Sequence, residues 1–373
     1  MGQQSTVAFG RDTAINCSRS IRIGNPVSNY IHVAQTRLFD SHGFGSTIAT
    51  KAFLKKIILL NPDVIHLHNL HGYYLHIGLL FEYLKQSNKS VVLTLHDCWT
   101  FTGHCAYFDY IGCSFWESEC HNCPLKSHYP KSFFIDRSKI NFQRKKRLFT
   151  GVNNLTIVTP SKWLSYLVKK SFLQEYPVKV INNGIDLGIF KPSPSDFRKR
   201  YGLQEQFVLL GVASNWEKRK GYQYFLDIAN RLSSDEKILL VGLNKQQIQK
   251  LPSGIIGILK TDSAAELAEI YSASDLFVNP TLEDNFPTTN LEALACGTPV
   301  ITFDTGGSAE CLDHECGLVV ERGDVMGLIE AIAKIKKNGK KYYSFQAQKR
   351  VQDCFDKNDR FSEYVALYNN RIK

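Results

Sequence analysis

Asp284 and Glu292 stand eight positions apart in DNFPTTNLE, with a Pro-Thr-Thr turn between them. Thr288, Thr289 and Asn290 are residue types that start helices, and LEALACG continues in helical register. The amino end of a helix presents unpaired N–H groups and partial positive charge, which suits an anion. The spacing predicts Glu292 in the first turn of that helix, where a carboxylate can accept hydrogen bonds from a diol such as a ribose. Asp284, before the turn, would address a second polyol. Taken alone, Glu292 also reads as an ordinary helix-favouring acid. Lys218, Arg219 and Lys220 precede Gly221 in SNWEKRKGYQYF, between a strand-like and a helix-like run. Cations there fit a phosphate beside a helix terminus, although a solvated charge run is the commoner origin of such a triplet.

Histidines and cysteines mark the first half. LTLHDCW ends a predicted strand with His96 and Asp97, and VIHLHNLHG carries His66, His68 and His71 at the end of the previous one. His66 and His68 share a strand face, but nothing fixes His71 beside them, so no metal site is expected from the three. They could line an acceptor. In residues 103–130, Cys105, Cys113, Cys120 and Cys123 are separated by seven, six and two residues. The closing Cys-x-x-Cys-Pro resembles half of a zinc knuckle. This long, aperiodic stretch needs an organising device. A structural zinc on the four thiolates is the expected one, with His104, His121 and Cys98 as alternative ligands and free thiols as the plainer reading. Four thiolates would leave such a zinc no open position for catalysis.

These residues sit in an alternating pattern. VIHLH, VVLTLHD, LTIVTPS and VKVINNG in the first half read as buried parallel strands, as do FVLLGVAS, KILLVG, LFVNPT and TPVITF in the second. Helical runs lie between them, at 46–60, 73–86 and 163–172 and in YQYFLDIANRL, AAELAEIYSAS and NLEALACG. Alternation of this kind predicts an α/β chain of two doubly wound, Rossmann-like domains facing a cleft, with ligands at the carboxyl ends of the strands. The Pro- and charge-rich stretch near 187–204 reads as the linker. The expected divisions are 1–187, 188–355 and a terminal helix, 356–373, packing back on the first domain.

The net charge of +10 lies wholly in residues 1–190, with 21 Lys and Arg against 11 Asp and Glu, while residues 191–373 balance at 24 each. A basic half suits an anionic partner or a simply soluble surface. NFQRKKRLF (141–149) and SKWLSYLVKKSF (161–172) have the composition of segments that dock on an anionic membrane face, and also of solvated helices. Basic residues scattered through α/β elements do not form a nucleic-acid recognition module. No apolar run is long enough to span a bilayer, and the first residues lack the pattern of a signal peptide. Gly2 with Thr6 matches the short myristoylation pattern, which arises often by chance. The expected location is the cytoplasm, with the inner membrane face as a docking surface and reduced thiols.

NNGID, RKGYQYFLDIA, LAEIYSASDLFVNPT and DNFPTTNLEALACGTPVI, in this order, resemble the retaining GT-B glycosyltransferases of family 4, over most of the chain and most strongly over 155–320. That family carries two glutamates with seven residues between them. Asp284 and Glu292 stand at this spacing, with Glu283 adjacent. The resemblance implies that Glu292 binds the nucleotide ribose and that Asp284 lies near the donor sugar and its phosphates. It implies that Asn285, Phe286, Pro287, Thr288 and Thr289 cradle the sugar diphosphate and that His96 contacts the donor sugar. Lys220 matches the family lysine that holds the pyrophosphate. The family arginine position is Asn215 here, and Arg219 is the substitute. Catalysis would then need no metal or other cofactor. The sequence has no Asp-x-Asp motif, and cations with helix termini can stabilise a leaving diphosphate.

The implied activity is sugar transfer from a nucleotide-diphosphate sugar to a lipid-linked saccharide acceptor in bacterial surface-polysaccharide synthesis. The chain opens at TVAFGRD, which reads as the second strand of such a domain, so the family's first β-loop-α unit is expected to be missing. A catalytically impaired scaffold and a nucleic-acid-binding protein are the competing readings.

Overall fold

The computed structural model describes residues 4–12 and 17–371, so Gly2 lies outside the described residues. Strands β1 (Val7–Phe9) and β2 (Ser20–Arg22) form a separate parallel pair. Strands β3 (Val64–His68), β4 (Ser90–Thr94), β5 (Leu155–Thr159) and β6 (Val178–Val180) pair in chain order, all parallel. β5 is buried along its whole length, and β4 everywhere except its first residue. Both can therefore be runs of Val, Leu, Ile and Thr without alternation. Phe81 and Leu84, from the helix Ile77–Ser87, and Phe149 share one apolar core with Val91, Leu93 and Ile157.

The second sheet holds β7 (Phe207–Val212), β8 (Glu236–Val241), β9 (Ile255–Ile258), β10 (Leu276–Asn279), β11 (Val300–Phe303) and β12 (Gly317–Val320). Its order is β12-β11-β10-β7-β8-β9, again parallel throughout. The chain winds one way from β7 to β9 and the other way from β10 to β12. The winding therefore reverses between β7 and β10, and in such sheets ligands bind beyond the strand ends at the reversal.

The chain divides into two units, Met1–Ile181 with Tyr364–Lys373, and Asn182–Glu363. The Pro-rich stretch expected as a linker belongs to the second unit. Phe190 and Phe197 within it enter the core with Val208 and Phe277. Leu367, near the carboxyl end, packs with Val92, Val158 and Ile181 in the first unit.

Residues 98–137 contain only single turns, Trp99–Phe101, Asp109–Ile111 and Phe115–Glu117. Their organising device differs from the expected metal. Trp116 packs against Phe101 and Phe108 with tilted rings, their centres 5.3 and 5.1 Å away. Asp40, fully buried, is a polar hub. It bonds His104 Nδ1 at 2.6 Å and the Arg137 amide at 2.7 Å, while its carbonyl takes the Asn141 side-chain amide at 2.7 Å. Lys145 is also buried. Its Nζ donates to the carbonyls of Trp99 and Thr102 at 2.7 and 3.1 Å and lies 3.4 Å from the centre of the Trp99 ring. An aromatic cluster with paired polar groups can thus order a long loop.

The basic stretches suggested for membrane docking turn most of their apolar residues inward, Tyr166 excepted. Phe142 and Phe149 are buried, as are Leu164, Leu167 and Val168, and Lys145 itself is enclosed.

Burial pushes His32 and His68 down to about 4 and His66 to about 3. These values lie below the unfolded value near 6.5, so the unfolded chain takes up protons first as pH falls. Stability should therefore be lost between about pH 6.5 and 3. Urea midpoints of the first unfolding transition at pH 7 and pH 5 should show the loss, and His66→Gln should reduce it. A midpoint that rises on acidification would contradict the assignment.

Candidate active site

Two turns meet where the second sheet reverses. After β7, residues 218–220 form a single tight turn ending at Gly221, which adopts φ +77°. A Cβ on Gly221 would stand 2.0 Å from the Pro280 carbonyl oxygen. Only glycine lets this turn approach the one that follows β10. Lys220 Nζ reaches Asp284 Oδ2 at 2.5 Å, and Arg219 Nη1 donates to the Glu283 carbonyl at 2.6 Å. The Leu282 amide donates back to the Arg219 carbonyl at 2.7 Å. On the opposite side, the Gly307 amide bonds the Asp284 carbonyl at 3.0 Å. Gly306 has φ +55°, and a Cβ there would lie 2.0 Å from that same carbonyl. Asn183 Nδ2 donates to the Phe286 carbonyl at 3.0 Å. The acid-bearing turn is thereby held by its backbone, while the Asp284 and Lys220 side chains stay partly exposed.

The helix Thr288–Ala295 follows with Pro287 at its cap position and no side-chain cap. Its open N–H groups and dipole are available to an anion. Glu292 lies in the second turn of this helix, one turn later than the sequence suggested. It accepts the Tyr271 hydroxyl at 3.0 Å and bonds the Thr288 side chain. Burial raises its carboxyl above the ordinary range, and those two bonds oppose the shift.

The predicted donor residues divide by placement. Lys220 and Asp284 meet directly. Arg219 holds the turn's backbone. Glu283, Asn285, Phe286 and Pro287 are buried, whereas Thr288 is exposed and Thr289 half-buried. Phe286 packs on Phe355 with ring centres 5.6 Å apart. Asn215, at the position of the family arginine, bonds Glu217 at 3.0 Å. Sequence reading missed the buried support beneath the helix. Asn290 there accepts from Asn279 at 2.8 Å and donates to the Ser308 carbonyl at 3.1 Å. The available signal was an Asn inside a helix, a type that persists there only with a dedicated partner.

In the first unit, His96 follows β4 and its Nε2 lies 3.0 Å from His68 Nδ1, the rings stacked with centres 5.3 Å apart. Burial lowers His96, opposed by Asp97. His66 and His68 do share a face, with ring centres 4.0 Å apart. His71 leaves that group and bonds Asp97 at 2.9 Å.

Cys105, Cys113, Cys120 and Cys123 line one small pocket with His104 and His121. Within it the Cys105 and Cys123 thiols bond each other, and Cys120 accepts the Gly103 amide at 3.2 Å. Among the described residues no three His, Cys, Asp or Glu side chains are placed to hold one metal ion. The arrangement does not fit the zinc expected from the spacing.

Residues 206–338 match the family model of the glycosyl transferases group 1. The chain is 26% identical over 309 residues to WcaC of Escherichia coli, a putative colanic acid biosynthesis glycosyl transferase, covering 80% of this chain and 73% of that protein. It is 27% identical over 265 residues to a Campylobacter jejuni N,N'-diacetylbacillosaminyl-diphospho-undecaprenol alpha-1,3-N-acetylgalactosaminyltransferase, covering 65% and 69%. Similarity to the O-antigen biosynthesis glycosyltransferase WclY of Escherichia coli, at 27%, covers 54% of this chain and 58% of that one.

Among solved structures, sucrose-phosphate synthase from Thermosynechococcus elongatus superposes with TM-score 0.74 at 19% identity, covering 99% of this chain and 89% of that one. Anabaena HepE in complex with UDP superposes with TM-score 0.66 at 18% identity, covering 87% and 82%. The fold is that of the GT-B glycosyltransferases.

The hydrogen bond from Cys105 pulls the Cys123 thiol down to about 7, while burial pushes Cys120 up to about 12. Cys105 is held well above its usual value, first by the bond to Cys123 and then by burial. Iodoacetamide at pH 7.5 followed by peptide mass mapping should therefore label Cys123 before Cys105 and Cys120. Equal labelling of the three would contradict the thiol pairing.

Proposed function

We propose that this chain is a retaining glycosyltransferase that moves a sugar from a nucleotide-diphosphate sugar to a saccharide acceptor in surface-polysaccharide assembly. The observation that carries the reading is the Lys220–Asp284 pair beside an uncapped helix at the sheet reversal. A diphosphate arriving there would meet the Lys220 ammonium and the open amides at the amino end of the helix Thr288–Ala295. The same charges would stabilise the leaving diphosphate, so in this reading catalysis needs no metal. Glu292 receives a ribose diol, with Tyr271 fixing its carboxylate. Asp284 lies toward the sugar, and His96 is assigned to the donor sugar by family resemblance. A UDP complex of a fold neighbour supports a nucleotide donor. The diphospho-undecaprenol in the name of the Campylobacter relative supports a lipid-linked acceptor.

A thermal-shift series with UDP, GDP, ADP and their sugars tests the donor site. One nucleotide should stabilise the protein by roughly 3 kcal/mol at a hundredfold excess over its Kd. Glu292→Ala and Lys220→Ala should each remove most of that shift. No stabilisation by any nucleotide would sink the reading.

No helix among the described residues is long and apolar enough to cross a membrane. A lipid-linked acceptor instead calls for a docking face, which we assign to the helices Pro26–Phe39 and Thr47–Leu60. Ile48 and Leu59 are each 86% exposed, and Tyr30 is 74% exposed. Lys51, Lys55 and Lys56 are exposed on the same helix as Ile48 and Leu59. Exposed apolar residues beside lysines suit an anionic bilayer face. At low salt the protein should float with phosphatidylglycerol vesicles, and Ile48→Ser with Leu59→Ser should abolish this. Failure of the unmodified protein to bind would rule the face out.

A further inference from the structure

His71, which left the histidine cluster, sits in an arrangement that the donor chemistry does not use. Its Nε2 lies 2.9 Å from Asp97 Oδ2, and its Nδ1 lies 2.8 Å from the Tyr129 hydroxyl. Asp97 is buried, and its other oxygen accepts the Trp99 amide at 2.9 Å. The His71 carbonyl is bonded by His42 Nε2 at 2.7 Å. On either side of His71, Asn69 and Tyr73 adopt φ +42° and +63°. The left-handed region is costly for a residue as bulky as tyrosine, and strain of this kind collects at functional sites. The group stands beyond the carboxyl ends of β3 and β4, the edge of a parallel sheet where ligands bind.

The bonding order follows from these contacts. Burial raises the Asp97 carboxyl, but His71, the Trp99 amide and His96 outweigh it, so the group stays an ionised acceptor. His71 must then donate from Nε2. In the neutral ring Nδ1 is an acceptor, so the Tyr129 hydroxyl donates to it at 2.8 Å, with the His71 carbonyl a longer second acceptor at 3.3 Å. The phenolic oxygen of Tyr129 retains its lone pairs, and the residue is 42% exposed. That oxygen calls for a hydroxyl donor. The Tyr129 ring meets Tyr73 edge-on with centres 6.3 Å apart, and the Arg11 guanidinium lies 5.9 Å from the centre of the Tyr73 ring. Flat apolar rings with polar tips are surfaces that suit a sugar, apolar on its C–H face and polar at its hydroxyls.

We propose that Tyr129, oriented through the Asp97–His71 pair, binds a hydroxyl of the saccharide acceptor. Tyr129 is the contacting residue, and His71 and Asp97 are positioning residues. The proposal rests on the glycosyltransferase reading for the word acceptor, but the saccharide site stands on the first unit's own geometry.

Saturation-transfer NMR on the full chain tests it, using the methyl glycosides of glucose, galactose, N-acetylglucosamine and N-acetylgalactosamine as probes. At least one glycoside should give a signal, and Tyr129→Phe should lower it at least about fivefold, as expected when one hydrogen bond to a ligand is lost. His71→Phe should lower it similarly, and the double variant should lose no more than either single one, because both act through one hydroxyl. Nucleotide-induced shifts should match the unmodified protein in all three variants, and the thermal midpoint should match it in Tyr129→Phe, whereas His71→Phe lowers the midpoint by unpairing Asp97. No signal from any glycoside, a signal unchanged in Tyr129→Phe, or additive losses would each overturn the proposal. Glycoside binding without any nucleotide-induced shift would uphold this site and bring down the donor reading instead.

Discussion

The closest backbone approach at the candidate site is the constraint from which its chemistry follows. Gly221 lies against Pro280, and Gly306 against Asp284, each so near that a Cβ would stand 2.0 Å from a carbonyl oxygen. These two contacts pin the turn after β10 from both sides. A carboxylate on a free loop would swing between cations and water. Here Asp284 is held by its own backbone, so Lys220 meets it at 2.5 Å without ordering the loop as well. Preorganisation of this kind lowers the cost of binding, because the entropy of fixing the turn is already met by folding.

Burial plays a different part in the first unit. Its ionisable groups are paired in short chains, namely Asp40 with His104, Asp97 with His71, and His68 with His96. Unpaired buried polar groups are costly, so each chain also fixes the backbone that carries it. The Asp40 hub shows the consequence most directly. It ties the helix Pro26–Phe39, which Asp40 ends, to Arg137 and Asn141 at the start of the helix Ser138–Phe149. The irregular segment 98–137 is thereby closed at its far end by a carboxylate.

The strands were legible wherever burial on both faces left a continuous apolar run. LTIVT and FVLLGV are such runs, and their strands are Leu155–Thr159 and Phe207–Val212. Ile255–Ile258 and Gly317–Val320 escaped notice because they are sheet-edge strands with only partly buried faces, and glycine interrupts one and opens the other. Local spacing brought out Lys220, Asp284 and Glu292, since acid spacing and a Lys-Gly turn are local signals. The turn of Glu292 was misplaced because the helix starts at Thr288 behind a proline, not at the later polar residues. Asp40, Tyr271 and Tyr129 were invisible. Their partners are 64, 21 and 58 positions away, and no local pattern encodes such pairs.

The cysteines show why residue type and spacing can mislead about chemistry. Two features suggested a metal, a Cys-x-x-Cys pair and a loop without periodicity. The loop has another source of order in Trp116, Phe101 and Phe108, whose packed rings supply apolar burial that a small metal-stapled loop would lack. Convergence of four cysteines on one pocket is therefore not sufficient for a metal centre, which also requires their donor atoms to face one point. In this pocket the Cys105 thiol is hydrogen-bonded to Cys123, which raises the first thiol and lowers the second. The geometry makes a polarised thiol pair from residues that composition alone would assign to zinc.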